Sequence, residues 1–142
     1  MTKLHPVPYS INEKEHRIVR VVKTHSGFRQ DIGIFVRSRW ESNIARYLNY
    51  LKSKKQIKDW EYEAEVFAFP VERGNRFYKP DFKVYNNKGS IEFWEVKGYM
   101  DNNSRIKLDR MARYYPDIKI ILIEKEQYKA ISKWKKLIGG WE

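Results

Sequence analysis

The sequence of 142 residues contains no cysteine, which excludes several kinds of chemistry at once. Disulfide bonds, thiol nucleophiles and thiolate zinc sites all require cysteine. No run of residues approaches the roughly 18 consecutive apolar residues of a transmembrane helix, so no membrane partner is expected. The start of the chain also lacks the apolar segment of a signal peptide. The expected location is therefore the cytoplasm.

Internal repeats, low-complexity tracts and linkers rich in glycine or proline are also missing; the chain has only 7 glycines and 5 prolines. A chain of this length with 42% apolar residues fits a single domain with a core of its own. Within this domain we expect residues 1–35 to form an N-terminal arm or β-hairpin extension. Residues 36–142 are expected to form the main folded body.

The charge is strongly unbalanced: 29 Lys and Arg against 18 Asp and Glu give a net charge of +11. Residues 1–40 carry +5 and residues 101–142 carry +4, whereas residues 41–100 carry only +2. Such a charge is typical of a protein with a polyanionic partner, because neutralising phosphates releases their counterions, and equally of a basic protein that its charge keeps soluble. The acidic residues gathered in the middle of a basic chain indicate a site that binds cations next to phosphate.

Hydrophobic periodicity and turn residues predict an α/β fold. Two β-rich segments, 16–25 and 28–36, are predicted to pair as a hairpin. The order after them is predicted to be α-β-β-β-α-β-α, over residues 38–53, 60–69, 77–85, 91–97, 104–114, 118–123 and 126–138. Strands followed by a β-α-β crossover predict a central mixed sheet flanked by helices. The continuous apolar run over 118–123 is typical of a fully buried strand.

Two neighbouring predicted strands bring acidic residues together with a lysine. Asp81 lies near the start of the hairpin formed by these strands, and Glu95 and Lys97 lie near its end. Glu95 and Lys97 are two residues apart, so their side chains leave the sheet on the same face. The turn over 86–89 places Asp81 beside them. Two carboxylates at one point repel each other unless a cation lies between them, and hard oxygen ligands favour Mg²⁺ or Mn²⁺.

The residues next to this carboxylate pair could contribute to the same chemistry. The Val96 carbonyl, between Glu95 and Lys97, could supply a further metal ligand. The Lys97 ammonium could hold a water molecule or stabilise charge on a phosphate oxygen. The sequence therefore predicts a metal site for phosphate chemistry at the end of this hairpin.

Five blocks of sequence resemble those of a known family. In chain order they are VRSRWE, DWEYE, FYKPDF, WEVKG and RIKLDRMARYYPDIKI, within residues 36–124. Pro80-Asp81 followed by Glu95-Val96-Lys97 is similar to the signature of the PD-(D/E)XK nuclease superfamily. The five blocks together resemble its phage endonuclease I and junction-resolvase branch. This resemblance implies a restriction-endonuclease-like αβββαβ core, with residues 36–142 as the nuclease domain.

The resemblance also implies an activity and a set of site residues. The activity would be that of a phage-type endonuclease, which would act in the cytoplasm of the host cell if a phage encodes it. The enzyme would depend on Mg²⁺, with Mn²⁺ as a substitute, and would hydrolyse DNA with little or no sequence specificity. Asp81 and Glu95 would bind the metal, and Lys97 would be the catalytic lysine. Glu41 would be the acidic catalytic residue of the first helix and a further metal ligand.

A basic helix follows the strand that carries Glu95. Arg105, Lys107 and Arg110 lie in this predicted helix, and we expect them to contact the DNA backbone. Three other acidic residues are assigned no role. Glu63 and Glu65 alternate on the polar face of their predicted strand and are expected to be solvated, and Glu92 is expected to be exposed.

Glu41 and the function as a whole each have an alternative explanation. The residues Ser38-Arg39-Trp40-Glu41 also have the pattern of a capping box, in which Glu41 would serve only the helix start. One alternative function is a Holliday-junction resolvase that acts as a homodimer on four-way DNA. The other is a nucleic-acid-binding module without catalysis. The presence of Glu41, Asp81, Glu95 and Lys97 together favours an active enzyme over that module.

Overall fold

The computed structural model of the chain describes residues 25–142. All but the last residue of the strand predicted over 16–25 lies outside the described residues, as does most of the predicted N-terminal arm. The described part is a mixed α/β fold with eight strands and three helices. Among these residues, no helix combines the length and the apolar content that crossing a bilayer requires.

A short hairpin opens the described part of the fold. Strand β1 (Gly27–Arg29) pairs antiparallel with β2 (Ile34–Val36). Gly33, in the turn between them, has a φ of +67°, which glycine adopts without steric strain. The prediction of one continuous strand over 28–36 is therefore wrong, because the chain reverses its direction within this segment.

Helix α1 (Arg39–Ser53) begins and ends where the sequence predicts. Ser38 is its N-cap, and the Ser38 Oγ accepts a hydrogen bond from the Glu41 N–H at 3.2 Å. One face of the helix carries apolar residues at helical spacing that are fully buried against the sheet: Ile44, Ala45 and Leu48. The helix is thus fixed at its start by a cap and along its length by the core.

The remaining elements form a four-stranded sheet, a two-stranded ribbon and two more helices. In chain order they are β3 (Asp59–Tyr62), β4 (Phe67–Ala68), β5 (Phe77–Tyr78), β6 (Phe82–Tyr85), β7 (Ile91–Val96), α2 (Asn102–Tyr114), β8 (Lys119–Ile123) and α3 (Lys125–Ser132). The sheet order is β3-β6-β7-β8, with β7 and β8 parallel and the other pairs antiparallel. The predicted mixed sheet is therefore confirmed, and β4 and β5 pair separately.

Each face of the sheet is covered by its own hydrophobic core. Phe93 and Trp94 are neighbours in β7, so their side chains point to opposite faces and enter different cores. Trp94 packs with α1, and α3 adds Tyr128 and Ile131 to the edge of that core. Phe93 packs with Met111 of α2 and with the β4–β5 ribbon. Helices thus cover both faces of the sheet.

Two predicted strands, 60–69 and 77–85, are each divided into two in the structure. The last strand is more exposed than predicted, and the last helix is shorter. Glu63, with a φ of +48°, ends β3 and separates it from β4. Pro80, which has no N–H to donate, lies in the break between β5 and β6. Strand β8 lies at the edge of the sheet and only Ile123 is buried, so the predicted full burial is wrong. Helix α3 ends at Ser132, before the predicted end.

Candidate active site

Three strand ends and the first turn of α1 meet at one end of the sheet. Asp81 directly precedes β6, Glu95 is the last residue but one of β7, and Glu63 directly follows β3. The Glu63 N–H donates to the Asp81 carbonyl at 2.8 Å, so these two residues lie side by side. The structure opens here into a cleft of about 850 Å³, which is lined by every residue predicted for catalysis or metal binding: Glu41, Asp81, Glu95, Val96 and Lys97.

Asp81 and Glu95 are both buried, with only 3% and 6% of their surface exposed. The Asp81 Oδ2 accepts a hydrogen bond from the Val96 N–H at 2.7 Å, which holds this carboxylate against the end of β7. The Glu95 Oε1 accepts from the Tyr78 hydroxyl at 3.1 Å, and the Glu95 Oε2 lies 3.6 Å from the Lys97 Nζ. Backbone and tyrosine hydrogen bonds therefore fix both carboxylates in place.

The electrostatics of the buried pair favour a cation. Burial raises the pKa of Asp81 well above its ordinary value, and the Glu95 and Glu41 carboxylates raise it further. Burial also raises the pKa of Glu95, while the Lys97 ammonium opposes this shift. Both pKa shifts mean that this buried site disfavours the charged forms of Asp81 and Glu95. A positive charge placed between the carboxylates would relieve this repulsion.

Glu41 belongs both to the start of α1 and to the cleft. Its side chain is buried, and its Oε2 accepts a hydrogen bond from the Arg37 N–H at 2.9 Å, one residue before the N-cap. Its Oε1 accepts from the Tyr62 hydroxyl at 3.2 Å. The predicted capping box is therefore only half formed, because Glu41 accepts from the N–H of Arg37 instead of that of the N-cap Ser38. A contact at the helix start and a position in the cleft are nevertheless compatible in one side chain.

Two tyrosines, Tyr62 partly buried and Tyr78 buried, donate hydrogen bonds to the carboxylates of the cleft. Burial, followed by the charge of the nearby carboxylates, raises the pKa of both Tyr62 and Tyr78 above the ordinary value. Both hydroxyls therefore stay protonated at neutral pH and remain donors to Glu41 and Glu95. The sequence pattern predicts a role for neither tyrosine, although Tyr62 lies in the block DWEYE and Tyr78 in the block FYKPDF.

Arg37 contacts three carboxylates of the site, a role that the sequence pattern does not predict. Its Nη2 lies 2.9 Å from the Asp81 Oδ1, 3.2 Å from the Glu41 Oε1 and 3.2 Å from the Glu63 Oε1. The loss of water around the guanidinium would lower the pKa of Arg37, but the Glu41 and Asp81 carboxylates outweigh this effect and raise the pKa. The arginine is present in the block VRSRWE, which was the available signal.

The expectation that Glu63 is solvated is wrong. The left-handed backbone at Glu63 breaks the alternation of β3, and the side chain is buried beside the cleft. Its Oε2 lies 2.8 Å from the Lys79 Nζ. The expected exposure of Glu92 is also wrong: this side chain is mostly covered, accepts from the Trp94 Nε1 at 2.9 Å and lies 3.4 Å from the Lys119 Nζ.

The three basic residues predicted to contact DNA have different surroundings on α2. Lys107 lines the cleft, and Arg105 is exposed two residues closer to the helix start. The Arg110 Nη1 donates to the carbonyl oxygens of Gly74 and, at 3.0 Å, Asn75, so it holds the loop before β5. The structure thus brings Lys107 to the site, and contact of the three residues with DNA stays a prediction.

The residues of the cleft fit a hard divalent cation in their chemistry. Asp81, Glu95 and Glu41 offer only carboxylate oxygens, the ligand type that Mg²⁺ and Mn²⁺ take up. Among residues 25–142, no group of three or more acidic or histidine side chains is already arranged as a metal cage. Comparison of the chain with protein-family models, with curated proteins and with solved structures finds no match.

Proposed function

We propose that the protein is a metal-dependent endonuclease that hydrolyses phosphodiester bonds in DNA. The observation that carries this proposal is the pair of buried carboxylates, Asp81 and Glu95, beside Lys97 in an open cleft. The order α1-β3-β6-β7-α2-β8 supports a restriction-endonuclease-like αβββαβ core, with the β4–β5 ribbon as an addition. Both features agree with the resemblance to PD-(D/E)XK nucleases of the phage endonuclease I branch.

Asp81, Glu95 and the Val96 carbonyl would hold Mg²⁺, assisted by Glu41, and Mn²⁺ would substitute for it. Such a metal, when bound, activates a water molecule and stabilises charge on the leaving oxygen. Lys97 would orient the water or stabilise the phosphate, because its ammonium lies beside Glu95. The Tyr78 hydroxyl fixes one oxygen of Glu95, which reduces the reorientation that ligand binding requires.

The charge around the cleft supports a nucleic acid as the substrate. Lys79, Lys97 and Lys107 line the cleft, and the whole chain carries +11. Ammonium groups bind phosphates without reading the bases, so we infer little or no sequence specificity. Phe77, about half exposed at the rim of the cleft, offers a ring on which a base could stack.

The proposal is tested by incubating the purified protein with linear duplex, single-stranded and four-way DNA, in Mg²⁺ and in EDTA. Wild-type protein should cut DNA in Mg²⁺ and not in EDTA. Glu95→Gln should lose this activity, whereas Glu92→Gln removes a carboxylate from the same strand outside the cleft and should keep it.

Four outcomes of this experiment would overturn or replace the proposal. Cleavage in EDTA, or by Glu95→Gln at the wild-type rate, would overturn it. Cleavage confined to four-way DNA would instead support a dimeric junction resolvase. Binding of every substrate without cleavage of any would support the non-catalytic module.

A further inference from the structure

Arg37 supplies one positive charge to three carboxylates that come from different parts of the chain. Its Nη2 is within 3.2 Å of oxygens of Glu41 in α1, Glu63 after β3 and Asp81 before β6. The three carboxylate side chains are almost completely buried, whereas 59% of the Arg37 side chain is exposed. A partly solvated cation therefore covers a group of fixed, buried anions.

This arrangement places Arg37 in direct competition with a metal ion. The guanidinium contacts the Asp81 Oδ1 and the Glu41 Oε1, which are oxygens of residues proposed to bind Mg²⁺. Two cations cannot share these oxygens closely without strong repulsion in a poorly solvated site. The backbone holds Asp81 through the Val96 N–H, so the carboxylate cannot turn away to serve both. The exposed arginine is the partner that is free to move.

We propose that Arg37 is the counter-cation of the metal-free site and that a divalent cation displaces its guanidinium from Asp81 and Glu41. This inference rests on the proposed function, because it assumes that the cleft binds a metal. Arg37 is then a positioning residue: it keeps the carboxylates together without metal and lowers the affinity for metal. By linkage, whatever draws the guanidinium away from the carboxylates strengthens metal binding.

Isothermal titration of the protein with Mn²⁺ alone tests this proposal without any measurement of cleavage. Arg37→Gln removes the competing charge and should bind Mn²⁺ about tenfold more tightly than wild type, equivalent to about 1.4 kcal/mol. Arg39→Gln is the matched control. Arg39 carries the same charge and lies two residues after Arg37, but its side chain does not line the cleft. The control should bind Mn²⁺ like wild type.

A second measurement on wild-type protein covers the case in which Arg37→Gln does not fold. The guanidinium of Arg37 should rotate slowly about its Nε–Cζ bond in EDTA and freely after addition of Mg²⁺, as followed by ¹⁵N NMR. Arg46 is the internal control, because Asp31 and Glu142 bind its guanidinium away from the cleft. Its signal should not change.

The outcomes separate this inference from the proposed function. Mn²⁺ binding by wild type, with equal or weaker binding by Arg37→Gln, would overturn the displacement and leave the proposed nuclease in place. An Arg37 signal that Mg²⁺ does not alter, while the signals of Asp81 and Glu95 shift, would do the same. No Mn²⁺ binding by wild type or by either variant would overturn both.

Discussion

Asp81 connects three other parts of the candidate site. One of its carboxylate oxygens lies 2.9 Å from the Arg37 Nη2, and the other accepts the Val96 N–H at 2.7 Å. Its carbonyl accepts the Glu63 N–H. The residue thus joins the start of α1, the end of β3 and the end of β7. The position of its carboxylate is fixed by backbone as well as by charge.

Glu41 provides a test of function at a single residue. Glu41→Gln keeps one oxygen, which can still accept from the Arg37 N–H, and its new amide NH2 can donate to the Tyr62 hydroxyl oxygen in place of the bond that this hydroxyl now donates, so the melting temperature should change little. If Glu41 assists the metal, loss of its charge should slow cleavage about 100-fold or more. Melting temperature and cleavage rate are measured on the same variant. A cleavage rate close to that of wild type would mean that Glu41 serves only the start of the helix.

The spacing of residues predicted part of this site and missed another part. Asp81, Glu95 and Lys97 follow from the two-residue period of strands and from one tight turn, which are local properties. Glu63 could not be placed in this way, because its left-handed backbone interrupts the period. The role of Arg37 could not be predicted either, because two of its carboxylate partners, Glu63 and Asp81, come from distant segments that meet it only in the folded chain.

At the scale of secondary-structure elements, α1 and the hairpin of β6 and β7 were predictable and several strand ends were not. Ser38 marks the start of α1, and the turn over 86–89 marks the hairpin. Each of these signals lies within the element that it predicts. The break after β3 and the edge position of β8 depend instead on packing between elements, and the sequence pattern alone carries no signal for them.

The segment after α3 is joined to α1 by charge, which predicts a pH dependence of stability. Hydrogen bonds from Arg29, Ser42 and Arg46 lower the pKa of Glu142 to about 2, although its partial burial opposes them. A carboxyl whose pKa is lowered by folding stabilises the fold at pH values above its pKa in the unfolded chain, which is 4.5. This contribution is lost as the pH falls from 4.5 toward 2. Solvent screening limits it to about 1–2 kcal/mol.

Urea unfolding of wild type and Glu142→Gln measures this contribution. The difference in free energy of unfolding should be full at pH 7 and should shrink steadily between pH 4.5 and pH 2. Glu72→Gln, which changes an exposed carboxylate in the loop before β5, is the control and should alter stability little at any pH. A difference for Glu142→Gln that stays constant with pH would contradict the role assigned to its charge.

At the scale of the whole molecule, the distribution of charge predicts how DNA binding depends on salt. Residues 1–40 and 101–142 carry +9 of the total +11. Binding of the metal-free protein should therefore weaken steeply with salt, with a slope of several units in a plot of log affinity against log salt concentration. A slope near zero would contradict this electrostatic account. A strong preference for one short sequence would indicate a site-specific enzyme instead.

Single variants assign parts of that slope to α2. Arg105→Ala and Lys107→Ala should each reduce the slope by about one unit and weaken binding equally for all DNA sequences. Lys88→Ala removes the same charge from the turn between β6 and β7, at the opposite end of the strands from the cleft, and should leave the slope unchanged. Equal effects of all three variants would mean that net charge, and not this helix, determines binding.

The most direct test of the whole account measures cleavage and DNA affinity together for Asp81→Asn in Mg²⁺. Asparagine keeps an oxygen to accept the Val96 N–H but lacks the charge that would hold the metal. The account predicts that cleavage is abolished while DNA affinity is kept or increased, because a negative charge near phosphate is removed. Cleavage by Asp81→Asn at a rate near that of wild type would contradict it.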